Sequence, residues 1–501
     1  MTENIRALLV ILLAAFIASH FVRPALAGFV SPERLLRWRN IWMLVSAMAF
    51  LSPNLWVFSI LAGLYLLYQS GKEEGVAPLY LLLVCVIPPL SAAIPGFGLI
   101  NYLFQIDWLR LLSLVLLLPA ALRLMRDPVR VAVGRTWPDR FLLAYLFLSI
   151  ALQLRDTTVT DALRQIFYAI LDAFLPYYVL SRSIRSTDEF RTTLTAFVYS
   201  VCMIALVAGF EFFKHWLLYK SLSAQWEIPA SSFYLDRGSS LRAVASMISP
   251  IALGYVMVAA LGAFLALAPF AEEPRHHRRI WLLLAAGCFF PLSRGPWVGA
   301  VLLIVVWLAT GPHALRRLFT LALAGMLSLP LLAVLPGGEK ILNLLPFIGH
   351  VDEQNVSYRH ELIEKAMIVI RRNPIFGSVN YLQTPEMQSM IQGQGIIDIV
   401  NTYIGVALNS GLVGLTLFCG FFASILLPLW RNQPADEAAQ ALRRSLLASL
   451  SAILLIIFTV SPIGVIASLY WSLAALALAF LLAHPAPASE AEPALAQNQY
   501  E

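Results

Sequence analysis

The chain has 501 residues, a length that would ordinarily divide into about three soluble domains of roughly 150 residues each. With 59% hydrophobic and only 13% charged residues, it cannot cover soluble domains with polar surface, and its long non-alternating apolar stretches exclude an outer-membrane barrel. The net charge of +6 is what arginines beside membrane spans produce, and it implies no nucleic-acid partner.

In chain order, the first apolar run spans Ile5 to Val22 and is followed by Ala25-Leu26-Ala27, which looks like a signal-peptidase site. The run is longer than a typical leader core, and Arg23 and Pro24 precede the small residues, so a retained span is expected. The run 41–69 is too long for one straight helix and carries Ser52-Pro53-Asn54 at its middle. It is one broken span or two short ones, which leaves the topology of the first 70 residues open. Further apolar runs lie at 76–94, 107–122, 139–154, 163–180, 190–213, 241–269, 279–292, 295–310, 318–335, 401–430, 443–465 and 467–483. The expected fold is all-α and polytopic, with about 12–15 transmembrane helices and one large outer loop containing short helices. Cys85, Cys202, Cys288 and Cys419 stand singly inside apolar runs and read as small hydrophobes.

Arginine-rich short loops set the orientation. Arg123, Arg126, Arg130, Arg135 and Arg140, then Arg182, Arg185 and Arg191, then Arg275, Arg278 and Arg279 are expected in the cytoplasm. Loops 155–162, 214–240 and 336–400 and the hairpin tip Ser293-Arg294-Gly295 then face outward. The chain divides into 1–240 and 241–335 (transmembrane helices), 336–400 (the large outer loop), 401–483 (the last spans) and 484–501 (a disordered cytoplasmic tail rich in Ala, Pro and Glu).

No nucleotide-binding loop, tandem metal-ligand spacing or Ser/His/Asp elbow is present. His276-His277 sits among Arg275, Arg278 and Arg279 and reads as a solvated topology signal, since three guanidinium groups repel a metal ion. No D-x-D pair is present to carry a divalent cation, so neither a metal nor another cofactor is expected.

The informative residues are arginines on the outer side, where charge asymmetry does not explain them. Arg237 and Arg242 close the loop 214–240, with Asp236 beside Arg237. Arg294 stands between two short apolar runs, either reaching lipid phosphates or clamping an anion near a helix start. Gly295 and Gly299 suit close helix packing. In the large loop, Ser357 to Arg372 reads as a helix ended by Asn373-Pro374. Leu362, Ile363, Ala366, Met367 and Ile370 form its apolar stripe, and Arg359 precedes them on the same side. Together, Arg242, Arg294 and Arg359 could converge on a doubly charged ligand such as a diphosphate, which the planar guanidinium fork matches.

Three pieces stand in order around this loop: Ser293-Arg294-Gly295-Pro296-Trp297; Tyr358-Arg359 leading into Asn373-Pro374-Ile375-Phe376-Gly377; and Asn401-Thr402-Tyr403 followed by Ser410-Gly411-Leu412-Val413-Gly414. Over about residues 230–420 they resemble the bacterial O-antigen ligase and O-antigen polymerase superfamily. The resemblance implies a GT-C-like scaffold and an inverting, metal-independent glycosyltransferase of the inner membrane. It would take a glycan from undecaprenyl diphosphate and join it to a glycan or glycolipid acceptor on the periplasmic side, in O-antigen or exopolysaccharide assembly, with other assembly proteins as partners. Arg294 and Arg359 match the family's loop arginines, and Arg242 one that precedes the earlier span. Ligases of the family carry a histidine directly before the asparagine of the last motif. Here that place is Val400, which leaves the general base open and favours polymerisation over ligation to lipid A core. Candidate bases are His350, Asp352, Glu353, His360 and Asp398, of which His360 and Asp398 lead by their positions beside Arg359 and Val400. A flippase for lipid-linked glycans would need midplane cations and a repeat relating two halves, and neither is evident. A non-catalytic assembly scaffold is the third class, which activity of the purified protein distinguishes.

Overall fold

The structure, a computed structural model, describes residues 2–98, 100–229, 236–237, 240–268, 274–334, 342, 353–391 and 395–485. It is an all-α polytopic membrane protein. Among the described residues the strands form only two short antiparallel hairpins, β1–β2 (Ala92–Pro95 with Tyr102–Ile106) and β3–β4 (Asp236–Arg237 with Ser240–Leu241).

The first helix, α1 (Glu3–Leu26), runs unbroken through Ala25. The open run 41–69 resolves into two helices, α2 (Pro32–Leu51) and α3 (Leu55–Ser70). Pro53 cannot continue a helix, and Asn54 caps α3 by accepting the Trp56 and Val57 N–H groups, so Ser52-Pro53-Asn54 is a turn. The two helices are antiparallel, since Arg34 at the start of α2 pairs with Glu73 just past the end of α3 at 2.9 Å. The run 76–94 is not a span. Helix α4 covers only Val76–Leu83, about 12 Å of rise, before Pro88-Pro89 divert the chain into β1.

Helices α5 (Trp108–Leu112) and α6 (Leu118–Met125) are joined by a π-helical turn at Ser113–Leu117, and α8 (Val159–Tyr168) and α9 (Leu175–Ser183) by another at Ala169–Phe174. Each wide turn precedes a proline, Pro119 or Pro176, whose ring and missing N–H a regular α turn would not accommodate. Between them lies α7 (Trp137–Asp156), opened by a Thr136–Asp139 capping box. There follow α10 (Thr187–Lys214), α11 (Lys220–Gln225), α12 (Pro250–Leu267), α13 (Pro274–Phe289), α14 (Arg294–Ala309) and α15 (Ala314–Val334). Helices α16 (Glu353–Arg372) and α17 (Pro385–Gln388) belong to the large loop. The chain closes with α18 (Thr402–Arg431), α19 (Glu437–Ile457) and α20 (Val465–Ala483).

Seven helical stretches among the described residues are long and apolar enough to cross a membrane. Of these, α10, α12 and α20 are almost wholly enclosed, whereas only 33% of the apolar window of α18 is buried. One end of the bundle gathers the arginine-rich loops: Arg185 pairs with Asp127 at 3.4 Å, and Asn432 donates to His484 O at 2.7 Å. His277 departs from the solvated reading, because it is buried within ring contact of Phe29 and Phe264. The side chains of Arg275 and His276 lie outside the described residues. The opposite end joins loops that are remote in sequence. Trp226 and Gln225 donate to Ser52 O, and Asn380 donates to Asp156 O. Cys85, Cys202 and Cys288 are buried free thiols, while Cys419 is exposed on α18.

Candidate functional site

The end opposite the arginine-rich loops holds three pieces of chain around one turn. The first is the segment 242–249, placed by Glu211. This carboxylate is fully buried and accepts the backbone N–H groups of Leu218, Val244 and Ala245 at 2.9, 3.0 and 2.7 Å. Arg242, immediately upstream and itself buried, donates from Nε to Pro291 O at 3.0 Å and from Nη2 to Ser293 Oγ at 2.8 Å. The Ala243 N–H reaches Phe290 O. The loop is thus bolted onto the α13–α14 turn, in which Leu292 has a left-handed φ of 46° and Arg294 is the first helical residue. Beside it lies a cavity of about 400 Å³ floored by Pro88, Leu90, Val244 and Ala245. Three non-glycine residues with positive φ line it, Glu227, Ala245 and Ile248, a concentration of backbone strain of the kind found at binding sites.

The second piece is the large loop, which carries its own small core of Leu362, Ala366, Val369, Met387, Met390, Ile399 and Leu408. Helix α16 starts at Glu353, four residues before the expected start, and its buried face is Leu362, Ala366 and Val369. Ile363 and Met367, expected in that stripe, are exposed, because the core covers only one side of the helix. The loop closes by backbone contact. Ser378 N–H donates to Leu408 O at 2.9 Å, and the Leu412 and Val413 N–H groups donate to Pro374 O and Ile375 O at 2.8 and 3.1 Å. Helix α18 is broken at Gly411 (φ 65°), which frees those N–H groups. A Cβ at Gly411 would strike Ile375 O, and one at Gly377 (φ 60°) would lie 2.5 Å from Leu408 O. The Asn373–Gly377 and Ser410–Gly414 motifs are therefore two halves of one clasp.

The third piece is the turn 458–461 between α19 and α20. Thr459 sits against Gly295, where an added Cβ would lie 2.5 Å from Thr459 Oγ1, and Gly299 packs on Ile456. Arg359 donates to Thr459 O at 3.4 Å, and Thr402 Oγ1 donates to Val460 O at 2.7 Å. The Ser461 hydroxyl lies 2.6 Å from Asp398 Oδ1 and 2.5 Å from Ile399 O, so one proton serves two acceptors. Tyr358 OH donates to Asp398 O at 3.0 Å. Asn401 caps α18 through the Tyr403 and Ile404 N–H groups. Burial pushes the Arg359 guanidinium below the usual arginine range, and the charge of Asp398 works in the opposite direction.

Arg242 and Arg294 are consequently joined through the Pro291–Ser293 turn, while Arg359 and Asp398 bond to the 458–461 turn, whose Thr459 packs on Gly295 of α14. His360 is not in this group: its ring is 76% exposed and faces Glu364 at 3.5 Å. Arg237 stands in β3, paired with Ser240 in the hairpin, and its side chain lies outside the described residues, as do the side chain of Glu353 and the whole of His350 and Asp352. Sequence reading missed Glu211, Thr459 and Ser461. Their only sequence signals are a carboxylate near the end of an apolar helix and Ser461-Pro462 breaking an apolar run. Further arginines at this end lie beside aspartates, Arg110 with Asp172 at 2.8 Å, Arg155 with Asp156 at 2.5 Å and Arg164 with Asp161 at 2.5 Å, and these read as structural ion pairs. Among the described residues no three His, Cys, Asp or Glu side chains are grouped to hold a metal ion.

Residues 280–419 match the family model described as O-Antigen ligase. Over this stretch the chain is similar to O-antigen ligases. The match runs from the α13–α14 hairpin through the large loop to the clasp in α18, and so contains Arg294, Arg359 and Asp398. Arg242, Glu211 and the 458–461 turn lie outside it. Enzymes of the O-antigen ligase type act in membranes on lipid-linked glycans and acceptors during polysaccharide biosynthesis, and the multi-pass fold and family resemblance of this chain agree with that class. No curated protein matches the chain.

Proposed function

We propose that this protein is an inverting, metal-independent glycosyltransferase that transfers or polymerises undecaprenyl-diphosphate-linked oligosaccharide on the periplasmic side of the inner membrane. The observation that carries the reading is the meeting of Arg242, Arg294, Arg359 and Asp398 around the α14 start and the Thr459–Ser461 turn, at the end opposite the arginine-rich loops. Arg294 and Arg359 bind the diphosphate of the donor through bidentate charge-assisted bonds, with Arg242 completing the clamp and Arg237 as a further outer cation. Charge that grows on the leaving diphosphate as the glycosidic bond breaks is stabilised by these fixed cations, which require no reorganisation during the step. The carboxylate of Asp398 takes the proton of the acceptor hydroxyl as it attacks from the opposite face of the sugar, and Ser461 and Arg359 orient it. His360 is set aside as the base because its ring points away from this group.

Polymerisation is favoured over ligation, since Val400 replaces the histidine that the family resemblance attaches to ligases. The deciding experiment is reconstitution with an undecaprenyl-diphosphate oligosaccharide alone, with and without EDTA. A ladder of longer lipid-linked products that persists in EDTA supports the polymerase. Reaction only after a second acceptor lipid is added points to a ligase. Loss in EDTA with rescue by magnesium removes the arginine-clamp mechanism.

A further inference from the structure

Helix α16 carries more apolar surface than the small core of the large loop covers. Ile363 and Met367 are 47% and 42% exposed, and half-buried Ile370 continues them at helical spacing. Beyond the helix, Ile375 and Phe376 are also exposed, at 58% and 45%. Soluble loops seldom present such a continuous apolar strip to water.

What lies beside this strip follows from the clasp. The hydrogen bonds from Leu412 to Pro374 and from Val413 to Ile375 fix Ile375 and Phe376 at the Gly411 break of α18, where the exposed side of its longer part begins. That side runs Leu412, Thr416, Cys419, Ala423, Leu427 and Trp430, spaced as one helix face, on an apolar span of which only a third is enclosed by protein. A face of this composition on a membrane-spanning helix is turned to lipid. We propose that the Ile363–Met367–Ile370 stripe of α16, with Ile375 and Phe376, is buried in the boundary between headgroups and acyl chains of the adjoining leaflet, as a continuation of the lipid-facing side of α18. The occupant is bilayer lipid. Arg371 is exposed four residues after Met367, at the edge of the stripe where lipid phosphates lie, while Glu361 and Arg372 occupy the exposed polar side.

Arg359 stands four residues before Ile363, one helical turn from the stripe. A lipid-borne diphosphate arriving along the leaflet therefore meets that guanidinium without leaving the membrane surface, a consequence that rests on the proposed function, although the placement of the stripe does not.

The test uses the full chain in lipid nanodiscs with Cys419→Ala as background. Nitroxide labels are placed singly through Met367→Cys, Phe376→Cys, Ile363→Cys and, as a water-facing control, Glu361→Cys. Collision with oxygen, which concentrates in the bilayer, is compared with collision with a water-soluble nickel chelate. The expected ratio of oxygen to nickel access at 363, 367 and 376 exceeds that at 361 by about tenfold, as for an interfacial helix. Nickel access at these three sites equal to that at 361 overturns the proposal in favour of a water-exposed loop. Protection from both reagents overturns it in favour of a protein partner or a second copy of the chain. Because the readout is position and not turnover, an inactive preparation leaves the result intact, and activity with a negative result leaves the proposed function standing.

Discussion

Arg242 Nη2 lies 2.8 Å from Ser293 Oγ, 51 residues away, and this bond joins the segment that enters α12 to the turn that launches Arg294. A guanidinium that also holds Pro291 O has its fork fixed by two oxygens, so its direction is preset before any ligand arrives.

Ser293→Ala should weaken donor binding without removing transfer. It deletes one hydrogen bond to a charged group, about 1.5–3 kcal/mol, and frees Arg242 to rotate. The expected outcome is a raised KM for the donor with kcat within about threefold of wild type. A loss confined to kcat would mean that Ser293 acts in the transition state.

Arg294→Ala should abolish transfer while leaving insertion and folding intact. If the side chain stabilises charge on the departing diphosphate, the loss is on the order of 3 kcal/mol, a hundredfold or more in rate. Arg294→Lys should recover only part of it, since the charge is kept and the planar fork is lost. Full turnover per folded molecule in Arg294→Lys would sink the bidentate clamp.

Asp398→Asn and Ser461→Ala separate base from positioner. Asn cannot accept the acceptor proton, so Asp398→Asn should lower kcat by about 10² or more, whereas Ser461→Ala leaves the carboxylate in place but loosely held and should cost about tenfold. Equal, small effects of both substitutions on kcat would remove Asp398 from the chemistry.

Gly411→Ala should destabilise the protein whether or not it is an enzyme. The residue sits at φ 65°, which costs an alanine about 1–2 kcal/mol, and the new methyl meets Ile375 O. A lowered Tm, with protease cleavage appearing between residues 373 and 391, is the expected signature. Unchanged stability would show that the clasp does not hold the loop.

Cysteines introduced at exposed polar positions of the large loop, such as Glu361 and Gln388, should react with an impermeant reagent applied from the periplasm, and those between 124 and 139 should not. The arginine asymmetry motivates the orientation. The reverse pattern would turn every proposed ligand to the cytoplasm.

Composition alone determined that the chain lives in a bilayer, because 59% apolar residues leave too little polar surface for anything else. Local chemistry also placed the proline-ended helix of the large loop, the Ser293–Gly295 hairpin and the arginines worth examining, since helix stops and charges near apolar runs are written in neighbouring residues. Tertiary structure alone decided which of those residues meet. His360 and Arg359 are adjacent in sequence yet differ by about 100° around their helix, so one turns to Thr459 and the other to water. Glu211, Thr459 and Ser461 stayed invisible because each matters through hydrogen bonds to residues 30 or more positions away, and no local pattern records a contact of that kind. The Asn373–Gly377 and Ser410–Gly414 motifs were visible as strings. Their function as one clasp required two left-handed glycines to face each other at a distance only the folded chain can set.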